Sequence, residues 1–327
     1  MRKIFLLMLF VSFVSCGGGE DDEGSQVSTV YNGDVDLRTQ DEVIEFGSNN
    51  YSEINGRLSI YYTGSGDEIT SLEPLSNLKK VNFTFRIQNV QLLDLEGLNS
   101  LENVGGDFII QSAIKLLNIN ALTSFTIISG KLNISNNDSL LDIDGLNQIQ
   151  SLQSLTINEN LNLLSIDGIS NIDSIEEDIF ISKNFKLTNI DALSNISTIK
   201  NIVISFNFIL KDLNGLSSLT NVENSFKIDG NYSQTPLNIG LINLMGLDNL
   251  TTIGGEFNIL DNEDLLSLDG LESLISVGGT IWIDDNTSLV DFCALLPSTI
   301  NAQVSFNPGW NGYNPTQQDL IDGNCSQ

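Results

Sequence analysis

The sequence contains no histidine, and its 14 lysines and arginines face 42 aspartates and glutamates, which gives a formal net charge of −28 over 327 residues. Without histidine the chain lacks the commonest general base and metal ligand, so serine–histidine and cysteine–histidine catalysis are excluded. The scarcity of cations argues against nucleic acid and anionic lipid, because basic side chains bind both. We therefore expect an acidic, soluble surface without catalytic residues, cofactor or metal ion.

Long apolar runs are also missing, and the run Ile4–Val14 is too short to span a membrane. A basic start, this run and a glycine-rich acidic stretch after Cys16 resemble a bacterial lipoprotein signal. The resemblance implies removal of residues 1–15, lipid attachment to Cys16 and a flexible acidic tether over residues 16–33. Acidic residues behind the cysteine resemble the export tag of some Gram-negative lipoproteins. This implies the outer face of the outer membrane, with the periplasmic face as the alternative.

A repeat of mostly 23 or 24 residues runs along the chain, marked by short strands that alternate apolar and other residues. We predict strand starts at Leu58, Phe85, Phe108, Leu132, Leu155, Ile179, Ile202, Phe226, Phe257, Ile281 and Val304. Between strands, apolar residues recur at every third position, which favours short extended or 3₁₀-like segments. The pattern predicts a β-solenoid of about ten to eleven rungs over residues 34–296 and a C-terminal cap over residues 297–327.

A column of asparagines keeps the same spacing, five residues after the strand starts. Its members are Asn137, Asn160, Asn184, Asn207, Asn231, Asn262 and Asn286. Equivalent residues of stacked strands lie about 4.7–4.9 Å apart, and an amide side chain both donates and accepts hydrogen bonds. A file of these amides can satisfy buried corner groups that would otherwise cost about 1–3 kcal/mol each. We interpret the column as structural, with left-handed corner geometry at the asparagines themselves.

The stretch Leu152–Asn160 has the spacing that begins a leucine-rich repeat, but its next apolar residue is Leu163. Together with the GLxxLxxVGG pattern of Gly97–Gly106 and Gly270–Gly279, this spacing resembles the receptor L-domain family. The resemblance implies a right-handed, single-sheet parallel β-solenoid on a cell surface. It leaves the ligand open, because one fold serves many functions.

The sequence has three cysteines. With Cys16 assigned to lipid, Cys293 and Cys325 remain as an even pair in an oxidising compartment. We predict a disulfide between them, which would close a loop of 32 residues (325 − 293) and contribute about 3–4 kcal/mol in the chain-entropy model.

Apolar residues at exposed positions are candidates for ligand binding. The position after each strand start points away from the interior, and it holds Phe180, Val203 and Trp282. The residue after three successive ladder asparagines is aromatic as well, namely Phe185, Phe208 and Tyr232. These residues could hold a protein or a sugar ring, or they could simply cover a flank of the solenoid.

The interval between the strands at Phe226 and Phe257 is 31 residues, which implies a seven-residue insertion. We place it at residues 231–238. Insertions in solenoids form loops that often bind ligands, but a loop without a role fits equally well.

A column of carboxylates at Asp144, Asp167, Asp191 and Asp269 is interpreted as capping of turns, not as a catalytic or Ca²⁺-binding set. The sequence thus predicts a non-enzymatic lipoprotein that binds a protein or a carbohydrate, or mediates adhesion. The alternative is a structural envelope or spacer protein. A polysaccharide-active β-helix enzyme is less favoured, because it needs acids gathered with cations in one groove and the basic residues are scattered along the sequence.

Overall fold

The repeats fold into a parallel β-solenoid of about 11 turns with few helices, so the predicted fold is confirmed. The computed structural model describes residues 29–230, 240–295 and 306–327. The strands are β1 (Val30–Asn32), β2 (Val35–Leu37), β3 (Glu53–Asn55), β4 (Leu58–Tyr61), β5 (Lys80–Val81), β6 (Phe85–Gln88), β7 (Asn103–Val104), β8 (Phe108–Gln111), β9 (Ile127–Ile128), β10 (Lys131–Ser135), β11 (Ser151–Leu152), β12 (Ser154–Asn158), β13 (Ser174–Ile175), β14 (Asp178–Ser182), β15 (Thr198–Ile199), β16 (Asn201–Ser205), β17 (Asn221–Val222), β18 (Phe226–Asp229), β19 (Thr252–Ile253), β20 (Phe257–Leu260), β21 (Ser276–Val277), β22 (Ile281–Asp284) and β23 (Phe306–Gly309).

Twelve strands form one long parallel sheet, made of the even-numbered strands β2 to β22 followed by β23. Its register stacks equivalent residues, so that Leu132 pairs with Leu155. Because side chains alternate along a strand, one face of the sheet lines the core and the other faces outwards. In β6, for example, Phe85 and Ile87 are buried and Arg86 is exposed. The apolar face of every rung therefore contributes to one continuous core.

A second line of parallel pairing runs through the odd-numbered strands before β23, which are only two or three residues long. They form sets of five, two and four strands. The sequence predicted a single sheet, and these strands are an addition to it. Most of them place one residue in the core, such as Val81, Val104 or Ile128, so they show no period-2 alternation that a sequence could reveal.

Five turns contain a three-residue 3₁₀ helix, as the three-residue apolar steps predict. These helices are Glu73–Leu75, Asp144–Leu146, Asp167–Ile169, Asp191–Leu193 and Asn214–Leu216. The capping role predicted for the aspartates is wrong here, because each aspartate is the first helical residue and not the cap. The side chain two residues earlier accepts its backbone N–H instead, as Asp142 does for Asp144 (3.3 Å) and Asn189 for Asp191 (3.1 Å).

The N-terminal end is closed by helix α1 (Gln40–Gly47), which buries Val43. The Thr39 side chain caps this helix by accepting the backbone N–H of Glu42 at 3.2 Å. Strand β1 lies within residues 16–33, the range predicted as tether, so the solenoid begins before residue 34. The aromatic ring of Tyr31 in this strand contacts the ring of Phe46, with ring centroids 5.5 Å apart.

The C-terminal end continues the long sheet by one more strand before the cap helix α2 (Gln317–Ile321). Ile281 of β22 pairs with Phe306, so β23 begins two residues after the predicted start at Val304, which lies outside the described residues. Val304 and Phe306 both fit an alternating pattern, and alternation alone could not choose between them. The predicted cap, residues 297–327, thus contains a rung as well as a helix.

The predicted disulfide is confirmed: Cys293 and Cys325 are bonded, with their Cα atoms 4.8 Å apart. The signal peptide (residues 1–15), Cys16 and the insertion at residues 231–238 lie outside the described residues. Within the described ranges, no helix has the length and apolar character needed to cross a membrane.

Candidate ligand-binding surface

The asparagines of the predicted column lie in one file along the core, and this file fixes the register of the rungs. Six of the seven are described and all six are buried; Asn231 is outside the described residues. Asn311 extends the file by one rung, five residues after the start of β23. The file ends at Asn314, whose Oδ1 accepts both the backbone N–H and the Nδ2–H of Asn311 at 3.1 Å.

Asn160 illustrates the bonding within the file. Its Oδ1 accepts the backbone N–H of Asn137 at 3.1 Å and the side-chain Nδ2–H of the same residue at 3.2 Å. Its own Nδ2 donates to the carbonyl of Ile134 at 2.9 Å and to Oδ1 of Asn184 at 3.3 Å. Asn160 therefore bonds to the rung before it and the rung after it, and Asn184 and Asn286 do the same. These bonds hold neighbouring rungs in a fixed arrangement.

The left-handed corner lies one residue earlier than the sequence predicted. The residue before the file position has positive φ in nine described rungs, at Asn89, Ser112, Asn136, Glu159, Lys183, Phe206, Asp261, Asp285 and Trp310. This conformation turns the chain out of the strand so that the next side chain enters the core. Phe206 and Trp310 are notable, because bulky residues rarely adopt positive φ.

The apolar residues predicted on the outer face do not form one patch. Phe180 and Val203 pair across β14 and β16, and Phe180 is 36% exposed. Trp282 lies on β22, with Lys227 of β18 and Asn258 of β20 at the equivalent positions between it and Val203. These three residues therefore lie at two separate places, with Trp282 four strand spacings or about 19 Å from Phe180 and three spacings or about 14 Å from Val203.

Phe185 and Phe208 follow the corner, and their rings stack on each other. The ring centroids are 4.3 Å apart with an angle of 9° between the planes. Both side chains are half-buried. Each ring thus buries part of its apolar surface against the other without a ligand. This favours the alternative that the pair simply covers a flank of the solenoid. Tyr232, the third predicted member, lies outside the described residues.

Both tryptophans of the chain lie at the C-terminal end of the long sheet. Trp282 projects from the outer face of β22 and is 48% exposed, and Trp310 directly follows β23 and is 79% exposed. The indole Nε1–H of Trp282 donates to a carboxylate oxygen of Asp284 at 3.4 Å. The two exposed tryptophans, one on β22 and one just after β23, give this end of the sheet a large apolar surface in contact with water.

Carboxylates surround this end of the sheet. Burial raises the pKa of Asp261, and the negative charges of Asp229, Asp285 and Asp284 raise it further. Oδ2 of Asp229 pairs with Nζ of Lys227 at 2.7 Å. Its buried Oδ1 has no hydrogen-bond partner among the described residues. No group of carboxylates, cysteines or histidines in the described ranges is arranged to hold a metal ion.

The N-terminal end of the long sheet carries basic residues. All the arginines in the described residues lie there, namely Arg38, Arg57 and Arg86. Arg57 donates from Nε and Nη2 to Oδ2 of Asp34 at 3.1 and 2.8 Å. Arg38 pairs with Asp36 at 3.1 Å. The prediction that basic residues are scattered is thus wrong for the arginines, because successive rungs bring positions far apart in sequence to neighbouring strands.

The ion pair with Arg57 also affects the pKa of Asp34. Its hydrogen bonds with Arg57 lower the pKa of Asp34. The Nε of Arg38 donates to the hydroxyl of Tyr61 at 2.8 Å, and its guanidinium lies 5.5 Å from the centre of the Tyr61 ring. A carboxylate with a lowered pKa is a poor proton donor, so the arrangement suits binding better than acid catalysis.

The sequence analysis missed Trp310 and the arginines as site residues. The two-residue error in the start of β23 led the sequence analysis to miss Trp310. Only with Phe306 as the first strand residue does Trp310 fall at the corner directly after the strand. The arginines occupy different strand positions, so no single column contained them. No family model matches the chain, and none of the curated proteins matches it.

Proposed function

We propose that this chain is a non-enzymatic ligand-binding or adhesion module whose partner is a protein or a glycan at the cell surface. The observation that carries the proposal is the exposure of Trp282 on β22 and of Trp310 directly after the neighbouring strand β23. Tryptophan is enriched at the energetic centres of binding interfaces, because it buries a large apolar area and offers one donor.

The surroundings of the tryptophans support recognition of polar partners. The carboxylate of Asp284 lies beside the indole of Trp282, and carboxylate oxygens can accept hydrogen bonds from sugar hydroxyls or from N–H groups. Phe180 and Val203 offer a second apolar point on the same face. A broad partner could therefore engage the sheet at two places.

We further propose that the module is anchored through a lipid on Cys16 and faces outwards from the outer membrane, in keeping with the signal-like start of the sequence. The receptor L-domain resemblance of the repeat supports the same setting. Protease treatment of intact cells tests this part: the chain should be degraded without lysis, whereas full protection would favour the periplasmic face. Metabolic labelling with a fatty-acid analogue should be lost in Cys16→Ser.

A glycan array and a binding assay on whole cells test the function itself. We compare the wild-type chain with Trp282→Ala, Trp310→Ala and a matched control, Phe83→Ala, which removes an exposed aromatic ring far from β22. Capture should be specific, weakened about tenfold or more by the tryptophan changes and unaltered by the control. Equal capture by all four proteins would refute the tryptophan site. Turnover of a glycan would favour an enzyme, and no capture at all would favour a spacer.

A further inference from the structure

The outer face of the sheet carries an open hollow at its N-terminal end, about 440 Å³ in volume. That volume is within the range of about 300–1,000 Å³ typical of small-molecule sites. Its lining is made of charged and polar side chains: Asp34, Asp36, Arg57, Ser59, Tyr61, Arg86 and Gln88. Register explains the grouping, because Ser59 pairs with Arg86 and Tyr61 pairs with Gln88 across β4 and β6.

Arg86 differs from the other two arginines of this region. Arg57 and Arg38 are each committed to a carboxylate. The exposed side chain of Arg86 has no ion pair or hydrogen bond with any described residue. The hollow is lined by two arginines and two aspartates. Because Arg57 pairs with Asp34 and Asp36 pairs with Arg38, Arg86 is the one charged group of this lining that has no ion pair among the described residues.

We propose that this hollow binds a saccharide that carries a carboxylate, with Arg86 as the residue that pairs with that carboxylate. A guanidinium is planar and donates two parallel hydrogen bonds to a carboxylate, which gives both affinity and orientation. The hydroxyl of Tyr61 already accepts from Arg38, so its own hydrogen is directed to other acceptors. Together with Ser59 and Gln88, it supplies the hydrogen-bonding groups that sugar hydroxyls require.

The lining and the net charge set the class of ligand. An acidic peptide would also pair with Arg86, but its binding would not depend on the hydroxyl and amide groups around the hollow. A strongly charged polymer such as nucleic acid is disfavoured, because the rest of the acidic chain repels it. A short saccharide of uronic acid units uses both the free cation and its polar neighbours.

This site lies about eight strand spacings from Trp282, or roughly 38 Å, so its ligand is tested separately from the proposed tryptophan site. Titration calorimetry with trigalacturonate probes the carboxylate, and maltotriose is the neutral control. Wild-type protein and Trp282→Ala should bind trigalacturonate equally and more tightly than maltotriose. Arg86→Gln should lose about tenfold or more in affinity, since charge-assisted hydrogen bonds are lost.

Two further variants make the result specific. Lys131→Gln removes an exposed charge from β10, outside the hollow, and should leave the affinity unchanged. Tyr61→Phe should weaken trigalacturonate binding less than Arg86→Gln does. Unchanged binding in Arg86→Gln, or equal binding of maltotriose, would overturn the proposal. Equally tight binding of a triglutamate peptide would overturn the saccharide assignment. Thermal unfolding checks that Arg86→Gln still folds, as expected for an exposed side chain without partners.

Discussion

The two ends of the long sheet share one interior plan and have opposite outer faces. At the N-terminal end, around β4 and β6, the outer face carries arginines that are mostly paired with aspartates. At the C-terminal end, two exposed tryptophans, Trp282 on β22 and Trp310 just after β23, lie in a region rich in carboxylates. Stacking requires like residues only on the inner face, so the outer face is free to differ from rung to rung. We therefore expect functional residues at outward-facing positions that differ from the equivalent positions of neighbouring rungs.

The interior also differs between early and later rungs at one position. The slot that holds the amide file from Asn137 onwards is occupied by Val90 and Ala113 in the rungs before it, and both are fully buried. The backbone N–H of Ala113 still donates to Oδ1 of Asn137 at 3.0 Å. The solenoid can thus close its corner with an apolar residue, but a rung inside the file depends on its amide.

The largest expected effect is the removal of one amide from the asparagine file. Asn160→Ala deletes four buried side-chain hydrogen bonds and leaves partners unsatisfied. We expect a loss of about 4 kcal/mol in the free energy of unfolding. Val90→Ala, the matched change in an apolar rung, should cost about 2 kcal/mol through its cavity alone. Urea denaturation measures both, and equal losses would contradict the special role of the amides.

The two caps differ in covalent closure, because the disulfide is present only at the C-terminal one. Replacing both Cys293 and Cys325 with serine should lower the free energy of unfolding by about 3 kcal/mol, since the open loop gains conformational entropy when unfolded. Unfolding of the wild-type protein with and without reductant gives the same comparison. A double variant as stable as the oxidised protein would show that α2 closes this end without the bridge.

Trp310 combines exposure with a strained backbone, at φ 50°. Asparagine tolerates this conformation better, and an almost fully exposed ring contributes little to the core. Trp310→Asn should therefore raise the free energy of unfolding by about 0.5–1 kcal/mol while it weakens ligand capture. A variant that is less stable than the wild type would mean that the indole packs against the fold, which would weaken its assignment to binding.

The smallest effects concern charge and should have opposite signs at the two ends. The pKa of Asp261 is raised, so its charge costs stability as the pH rises through the folded-state pKa. Asp261→Asn should be slightly stabilising at pH 7, by less than about 1 kcal/mol, and neutral in acid. The pKa of Asp34 is lowered, so its charge stabilises above the ordinary value of 3.8. Asp34→Asn should be destabilising at pH 7 only. Melting temperatures of both variants and of the wild type, measured against pH, test these predictions. A destabilising Asp261→Asn or a stabilising Asp34→Asn at pH 7 would contradict them.

The sequence predicted the interior well because stacking makes interior positions periodic. The strand starts, the asparagine spacing and the cysteine pair all follow from rules that repeat or count. The outer face was less predictable, since Arg57 and Arg86 occupy different columns and line one hollow only because β4 pairs with β6. The last strand shows a further limit: Val304 and Phe306 fit period 2 equally well, and only pairing with Ile281 decides the register. The two-residue strands of the second line of pairing are too short to show an alternating pattern in the sequence.

Scalar couplings across hydrogen bonds, measured by NMR, test the central claim that the rungs of the asparagine file are held to one another by hydrogen bonds of these amides. The account predicts couplings from the backbone nitrogen of Asn137 to the side-chain Cγ of Asn160, and from Asn160 to Asn184 and Asn184 to Asn207 in the same way. Couplings from these nitrogens to other acceptors, or fast exchange of the same amide protons with water, would contradict it.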